Sequence, residues 1–264
     1  MKVGMHILSP YQVASLRILS AGIVLLPFAF KAVKQIPGNK MVIVILSGLV
    51  GSFFPAYLFC IAETKIDSSL AGILNALTPF FVILMGIAFF ELKTHTQKMI
   101  GVLVGFIGLC LLVFTDRNIS FQNFEYSLLI LLATLLYGIN VNMVGRHLQG
   151  IGSLNIASLA FVFLIIPCLI ILYFTGYFTL PFNNRTVIYS SLASFILGAF
   201  GTALASVIFY MMVKRAGALF ASMVAYGIPF IAVLWGIWYG EHVTFIQVGC
   251  LGIILSGVYL VNRK

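Results

Sequence analysis

The sequence predicts an all-α membrane protein: a polytopic bundle of nine transmembrane helices, built from two inverted-topology repeats. Three observations carry this prediction: an apolar content far above that of soluble domains, nine apolar runs of spanning length, and a long internal match at constant offset. Hydrophobic residues make up 62% of the 264 residues and charged ones 8%, against roughly 45–50% and 25% in soluble domains. The mean hydropathy is +1.14. A core of this size cannot hide so much apolar surface, so lipid must serve as its solvent. A signal peptide would explain one apolar run, whereas these continue to the C-terminus.

A spanning helix needs about 20 mostly apolar residues. Charged, Pro-rich or Asn-rich breaks leave nine such runs, at roughly 10–30, 41–61, 69–90, 98–115, 126–145, 153–174, 187–210, 218–239 and 244–262. The runs are continuous rather than alternating at every second residue, which favours helices over a β-barrel. Connections are short, the longest being Asp116–Glu125 and Gly176–Arg185, and nothing remains for a soluble domain.

Orientation follows from Lys and Arg. With the C-terminus in the cytoplasm, cytoplasmic segments hold Lys31, Lys34, Lys40, Lys93, Lys98, Arg146, Lys214, Arg215, Arg263 and Lys264. The external segments hold Lys2, Lys65, Arg117 and Arg185, and Arg17 lies inside the first span. This bias places the C-terminus in the cytoplasm of an inner-membrane protein and the N-terminus outside. The net charge of +9 therefore reports orientation. The basic residues are scattered without interleaved aromatics, which argues against a nucleic-acid partner. Cys60, Cys110, Cys168 and Cys250 sit far apart inside apolar runs, so neither a metal site nor a disulfide framework is expected.

A shift of 150 residues superposes Gly48 on Gly198, Gly51 on Gly201, Phe59 on Phe209, and Pro79-Phe80 on Pro229-Phe230. It continues through Gly86 on Gly236, Glu91 on Glu241, and Gln97 on Gln247. Upstream, Ala14-Ser15-Leu16 matches Ala157-Ser158-Leu159 at a slightly different offset. The repeats are 1–115 and 124–264. The run 126–145 has no partner before residue 9, so a five-plus-five ancestor is expected, with the first helix missing here. Five is odd, so the second repeat runs opposite to the first. Inverted repeats are the architecture of alternating-access transporters, whose site lies near the midplane between the halves.

The matched segments SLAGILNALTPFFVILMGIAFFELKTHTQKMIG and ALFASMVAYGIPFIAVLWGIWYGEHVTFIQVG share a pattern. Small residues enter a helix, a Pro interrupts it, and a Gly follows seven residues later; a Glu then closes it before a Thr-x-x-Gln turn. This resembles the EamA-type members of the drug/metabolite transporter superfamily, over essentially the whole chain. The resemblance implies ten helices with both termini cytoplasmic, and export of amino acids or other small metabolites. The absent first helix, which in that family lines the central cavity, is the departure.

Several residues are candidates for the site. Arg17 has two readings: a cavity cation for a substrate carboxylate, or a structural Arg that snorkels or bonds helix-end carbonyls. An ionisable group at a helix centre costs roughly 2.5–3.5 kcal/mol on insertion scales, so it needs a reason to be there. Glu91 and Glu241 read as structural turns, each near the amides of the next helix. Thr134, Tyr137 and Asn140 or Val141 give the run 126–145 a polar face. Asn75 precedes Thr78-Pro79, and Tyr226 holds the neighbouring position before Pro229. Each Pro frees a carbonyl, which membrane helices tolerate where it is buried or lines a cavity. A midplane pocket of Asn75, Tyr137, Asn140 and Tyr226 follows, with Tyr57 and Phe209 as walls. The alternative for each is interhelical hydrogen bonding. Pro79, Pro229, Gly51 and Gly201 are the candidate points of helix break and gating. Gly101, Gly105, Gly108, Gly249, Gly252 and Gly257 read as packing contacts.

A secondary transporter, working as an exporter of an amino-acid-like or aromatic small molecule, is the function expected. No phosphate-binding G-x-x-x-x-G-K-S/T loop occurs, so ATP is not the direct driver, and no cofactor is called for. An enzyme is disfavoured because no H-E-x-x-H motif, paired intramembrane carboxylates or Ser/His constellation is present. The third class weighed is a non-transporting scaffold, partner subunit or truncated inactive transporter.

Overall fold

The computed structural model describes residues 4–66, 68–114, 123–228, 230–231 and 244–262, and their regular structure is all helical. Pro229 and Glu241 lie outside the described residues, as do Arg263 and Lys264. The first long helix, α1 (Pro10–Gln35), opens with a capping box. Ser9 Oγ accepts from the Gln12 N–H at 3.2 Å while Gln12 Oε1 accepts from the Ser9 N–H at 3.0 Å. Pro10 takes the first helical position, where no donor is needed.

The remaining helices follow in order: α2 (Gly38–Ala62), α3 (Leu70–Phe90), α4 (Thr96–Phe114), α5 (Phe124–His147), α6 (Ser153–Phe174), α7 (Arg185–Ala216), α8 (Ala218–Gly227) and α9 (Phe245–Asn262). Among the described residues, six helices (α1, α2, α3, α5, α6 and α7) are long and apolar enough to cross a membrane, and the other three are shorter apolar helices. Large apolar side chains such as Phe89, Ile166, Phe174 and Tyr189 are exposed on the outside of the bundle, as lipid-facing positions require. The protein is a multi-pass membrane helix bundle.

Two helices overrun their expected ends. α1 continues past Lys31 and Lys34 to Gln35, and α7 runs to Ala216 through Lys214 and Arg215. Long cationic side chains lie along the apolar surface and reach the interface, so a helix need not stop at the first charge.

The packing is pseudo-symmetric. α1 lies along α6 and α4 along α9, so each of these helices packs on its own repeat equivalent. Both pairs are antiparallel. Gln12 Nε2 donates to the Thr175 carbonyl at 2.9 Å at one end of the first pair, and Asn155 Nδ2 donates to Gln35 Oε1 at 2.6 Å at the other. In the second pair, Gly101 abuts Gly257 and Val261 whereas Gly108 abuts Ile253 and Ile254. A Cβ on Gly101 would stand 2.8 Å from the Gly257 carbonyl oxygen, so these glycines set the closeness of the pair. Gly249 and Gly252 face open space, outside this seam. The crossing of α1 on α7 likewise has its counterpart in α6 on α2.

One end of the bundle gathers Gln35 with Asn155, the Arg146–Glu91 ion pair at 3.0 Å, and Lys214 on the Ile151 carbonyl. The opposite end holds Gln12 with Thr175, and Asn123 Nδ2 donating to the Lys65 carbonyl at 3.3 Å.

Candidate functional site: a cavity between the repeats

Four backbone irregularities surround one cavity. α3 breaks between Asn75 and Thr78. Pro79 has no N–H for the Asn75 carbonyl, and Thr78 Oγ1 donates to that carbonyl instead, at 2.6 Å. The repeat-equivalent stretch of α8 winds as a 3-10 turn over Met223–Gly227. α2 widens into a π turn at Leu49–Phe53 and α7 does the same at Ala199–Leu204, again 150 residues on. In α2, Pro55 removes the N–H that would have bonded the Gly51 carbonyl. Ala205 stands at the equivalent place in α7 and the π turn forms there too, so proline is not its requirement. Such turns widen a helix locally and expose backbone, and they recur at functional sites.

The cavity volume is about 490 Å³, within the range of roughly 300–1,000 Å³ typical of small-molecule sites. Arg17, Gly51, Asn75, Tyr137, Asn140, Gly201 and Phe209 all line it. Seven of the sequence-derived candidates are thus brought together from α1, α2, α3, α5 and α7.

The polar face of α5 is held in place. Asn140 is 3% exposed, and its Oδ1 accepts from Ser47 Oγ at 2.7 Å. Ser47 Oγ also lies 3.2 Å from the Tyr210 hydroxyl. The Asn140 amide occupies the space beside Gly51 that a Cβ would need. Tyr137 stacks obliquely on Phe59 at 6.1 Å between ring centres. Thr134 turns instead to its own helix, donating to the Leu131 carbonyl at 2.8 Å. Arg17 Nε donates to Thr202 Oγ1 at 2.7 Å, joining α1 to the π turn of α7.

One expected wall residue, Tyr57, and one expected pocket residue, Tyr226, sit elsewhere. The Tyr57 hydroxyl lies 2.6 Å from Ser15 Oγ, and its ring packs 4.8 Å from that of Phe53, within the α1–α2–α6 core. Tyr226 is 1% exposed, donates to the Val102 carbonyl at 2.8 Å, and lays its ring edge against Gly105. Both rings point away from the cavity because a small residue or hydroxyl on a neighbouring helix receives them. Glu91 ends α3 in the left-handed region at φ 53°, with the Leu92 N–H reaching back to the Gly86 carbonyl at 2.9 Å. That geometry turns its carboxylate to Arg146 on α5 rather than to the amides of α4.

Sequence reading did not single out Ser47, Thr202 and Tyr210, which partner the cavity residues. Ser52 and Thr202 are repeat equivalents and both line the cavity, so a hydroxyl shared at an offset of 150 was the available signal. Among the described residues no group of three or more His, Cys, Asp or Glu side chains is placed to hold a metal ion.

Known proteins resemble this chain along its length. A transporter described as uncharacterised, from Archaeoglobus fulgidus, is 25% identical over 267 aligned positions, covering 100% of this chain and 92% of its own. The inner membrane transporter YedA of Escherichia coli is 24% identical, covering 99% of this chain and 84% of its own. Protein PagO of Salmonella typhimurium is 24% identical over 88% of this chain and 77% of its own. A crystal structure of another protein superposes with a TM-score of 0.73 at 17% identity, over 97% of this chain and 88% of that one, a likeness of fold alone. The sequence profile of the EamA-like transporter family matches twice, over residues 1–114 and 125–263, and the chain belongs to that family of membrane transporters.

Proposed function

We propose that this protein is a secondary transporter that moves a small amino-acid-like or aromatic metabolite by alternating access, outward across the inner membrane. The observation that carries the reading is the pairing of backbone irregularities. π turns at equivalent positions of α2 and α7 and breaks at equivalent positions of α3 and α8 frame one cavity between the repeats. When halves are related in this way, a conformation open to one side has a counterpart open to the other, with the halves exchanging roles. Helix breaks leave backbone free to change conformation where an intact helix would resist.

The lining suits an amphipathic solute. Amide and hydroxyl groups of Asn75, Tyr137 and Asn140 offer neutral donors and acceptors, and Phe209 offers an apolar wall. No phosphate-binding loop is present in the sequence, so a gradient of an ion or of the solute itself supplies the drive. The end that holds Arg146, Lys214 and Gln35 is assigned to the cytoplasm by its Lys and Arg, and the C-terminus with it.

Counterflow in proteoliposomes tests the reading, using a panel of labelled amino acids, amines and nucleosides. Trans-stimulated uptake of one class, reduced at least tenfold by Asn140→Ala, is the expected result. Absence of exchange across the whole panel would favour a non-transporting membrane partner. Orientation is checked in right-side-out vesicles with Gln149→Cys and Thr179→Cys: an impermeant maleimide should label the second and spare the first.

A further inference from the structure

Three polar side chains tie the two repeats together on one side of the cavity. The hydroxyls of Tyr210 on α7 and Ser47 on α2 stand 3.2 Å apart, and Ser47 Oγ donates to Asn140 Oδ1 on α5 at 2.7 Å. All three residues are buried, so this chain of bonds is shielded from competing water. Ser47 belongs to the first repeat, Asn140 and Tyr210 to the second. Each lies nearer the end of its helix where Arg146 and Lys214 gather. One turn further toward that end, Val44, Val144 and Val213 on the same three helices are fully buried in one apolar cluster. Beyond them a second void of about 170 Å³ is lined by Val213, Gly145, Arg146 and Ala218. A Cβ on Gly145 would stand 3.5 Å from the Val213 side chain and 3.7 Å from that of Ala218, so the helices almost touch there. A bonded polar layer and a dry apolar one thus separate the cavity from this vestibule. A narrow apolar constriction of this kind closes by excluding water.

The opposite side is made of different residues. When inverted repeats exchange roles, the far side is closed by the repeat equivalents of the residues that close the near side. At the offset of 150, Ser47 corresponds to Leu197, Tyr210 to Cys60, Val44 to Ser194 and Val213 to Glu63. Leucine forms no hydrogen bond and a thiol is a weak partner, so the polar tie has no equivalent. A hydroxyl and a carboxylate stand where the two valines stand, and a carboxylate keeps water or a bonded partner beside it. The two closures therefore differ in strength.

We propose that the Ser47–Asn140–Tyr210 tie and the valine layer behind it form a gate on the Arg146 side, closed in this structure, which holds the resting protein in the conformation shut on that side. The inference rests on the transporter reading above and names which of its two alternating states lies lower. Opening the gate breaks the tie and wets the valines. A solute that binds the other state more tightly offsets that cost.

The test reads access to the cavity and needs no known solute. Ser206→Cys on α7 and, separately, Ser52→Cys on α2 place a thiol at the cavity wall of the full chain. A small charged methanethiosulfonate is applied to either face of sealed vesicles. Gln149→Cys and Thr179→Cys identify the two faces, and the protein without an added cysteine gives the background. At least one cavity thiol should react at least tenfold faster from the Thr179 face than from the Gln149 face. Adding Tyr210→Phe or Val213→Ser should raise the rate from the Gln149 face at least fivefold, whereas Cys60→Ser at the position equivalent to Tyr210 should not. Matching elution profiles in detergent would show that the variants are folded. Counterflow with the wider panel separates this inference from the reading beneath it. If a panel solute is exchanged, three results overturn the gate and leave the transporter reading intact: no reaction from either face, no preference for the Thr179 face, or a preference that neither Tyr210→Phe nor Val213→Ser weakens. Exchange of no panel solute overturns the transporter reading and this inference with it.

Discussion

Asn140 and Gly51 interlock: the amide of Asn140 on α5 fills the space beside Gly51 on the π turn of α2 that a Cβ would occupy. The same Asn140 accepts from Ser47 one turn earlier on α2, at 2.7 Å. The polar face of α5 is thereby registered against the irregular stretch of α2, which couples the shape of the cavity to a single missing side chain.

Gly51→Ala should therefore destabilise the protein by about 1–3 kcal/mol, the usual cost of overpacking. Asn140→Ala clears the space, so the double variant should be more stable than the sum of the single effects implies. Unfolding in mixed micelles, arranged as a double-mutant cycle, measures the coupling. Strict additivity would show that the two side chains do not oppose each other.

Tyr226 should behave as a packing residue. Tyr226→Phe removes the bond to the Val102 carbonyl and should cost about 0.6 kcal/mol, the average for such bonds in membranes. Tyr226→Ala leaves a cavity beside Gly105 and should cost about 3–5 kcal/mol. Substrate preference in the counterflow panel should be unchanged in the Phe variant. A changed preference would move Tyr226 into the site.

Glu91 should have little influence on transport. Its ion pair with Arg146 is 3.0 Å long, and the Glu91 side chain is 84% exposed, so the pair contributes about 0–1 kcal/mol. Glu91→Gln should leave exchange rates and their pH profile unchanged. Because Glu91 has φ 53°, Glu91→Gly should be neutral or slightly stabilising and Glu91→Val clearly destabilising, by melting temperature in detergent. A pH profile displaced by Glu91→Gln would instead place the carboxylate in the proton chemistry of transport.

The glycines of α9 should divide by position. Gly257→Leu pushes α9 away from Gly101 and Gly105 on α4, and should lower the melting temperature markedly. Gly252 faces open space, and Gly252→Leu should be tolerated. Equal effects of the two would contradict the antiparallel seam.

The sequence by itself determined the class of the protein. Continuous apolar runs oblige the chain to satisfy its backbone within helices in lipid, and the gapless match at an offset of 150 marks two homologous halves. Those features are one-dimensional, because hydropathy and internal similarity survive without knowledge of contacts. They also brought Arg17, Asn75, Tyr137, Asn140 and Phe209 to attention, since polar or aromatic groups in spans are few enough to notice.

Tertiary structure decided which of these groups share a cavity. Tyr57 and Tyr226 are as conspicuous in sequence as Tyr137, yet Ser15 and the Gly105–Val102 surface receive them on other sides of their helices. The π turns rotate the residues that follow them, so helical periodicity read along α2 and α7 cannot say which face meets the cavity. The close approach of Gly198 to α1 and of Gly48 to α6 is likewise visible only in the fold, because a residue's partner across a helix crossing depends on packing distance and not on separation along the chain.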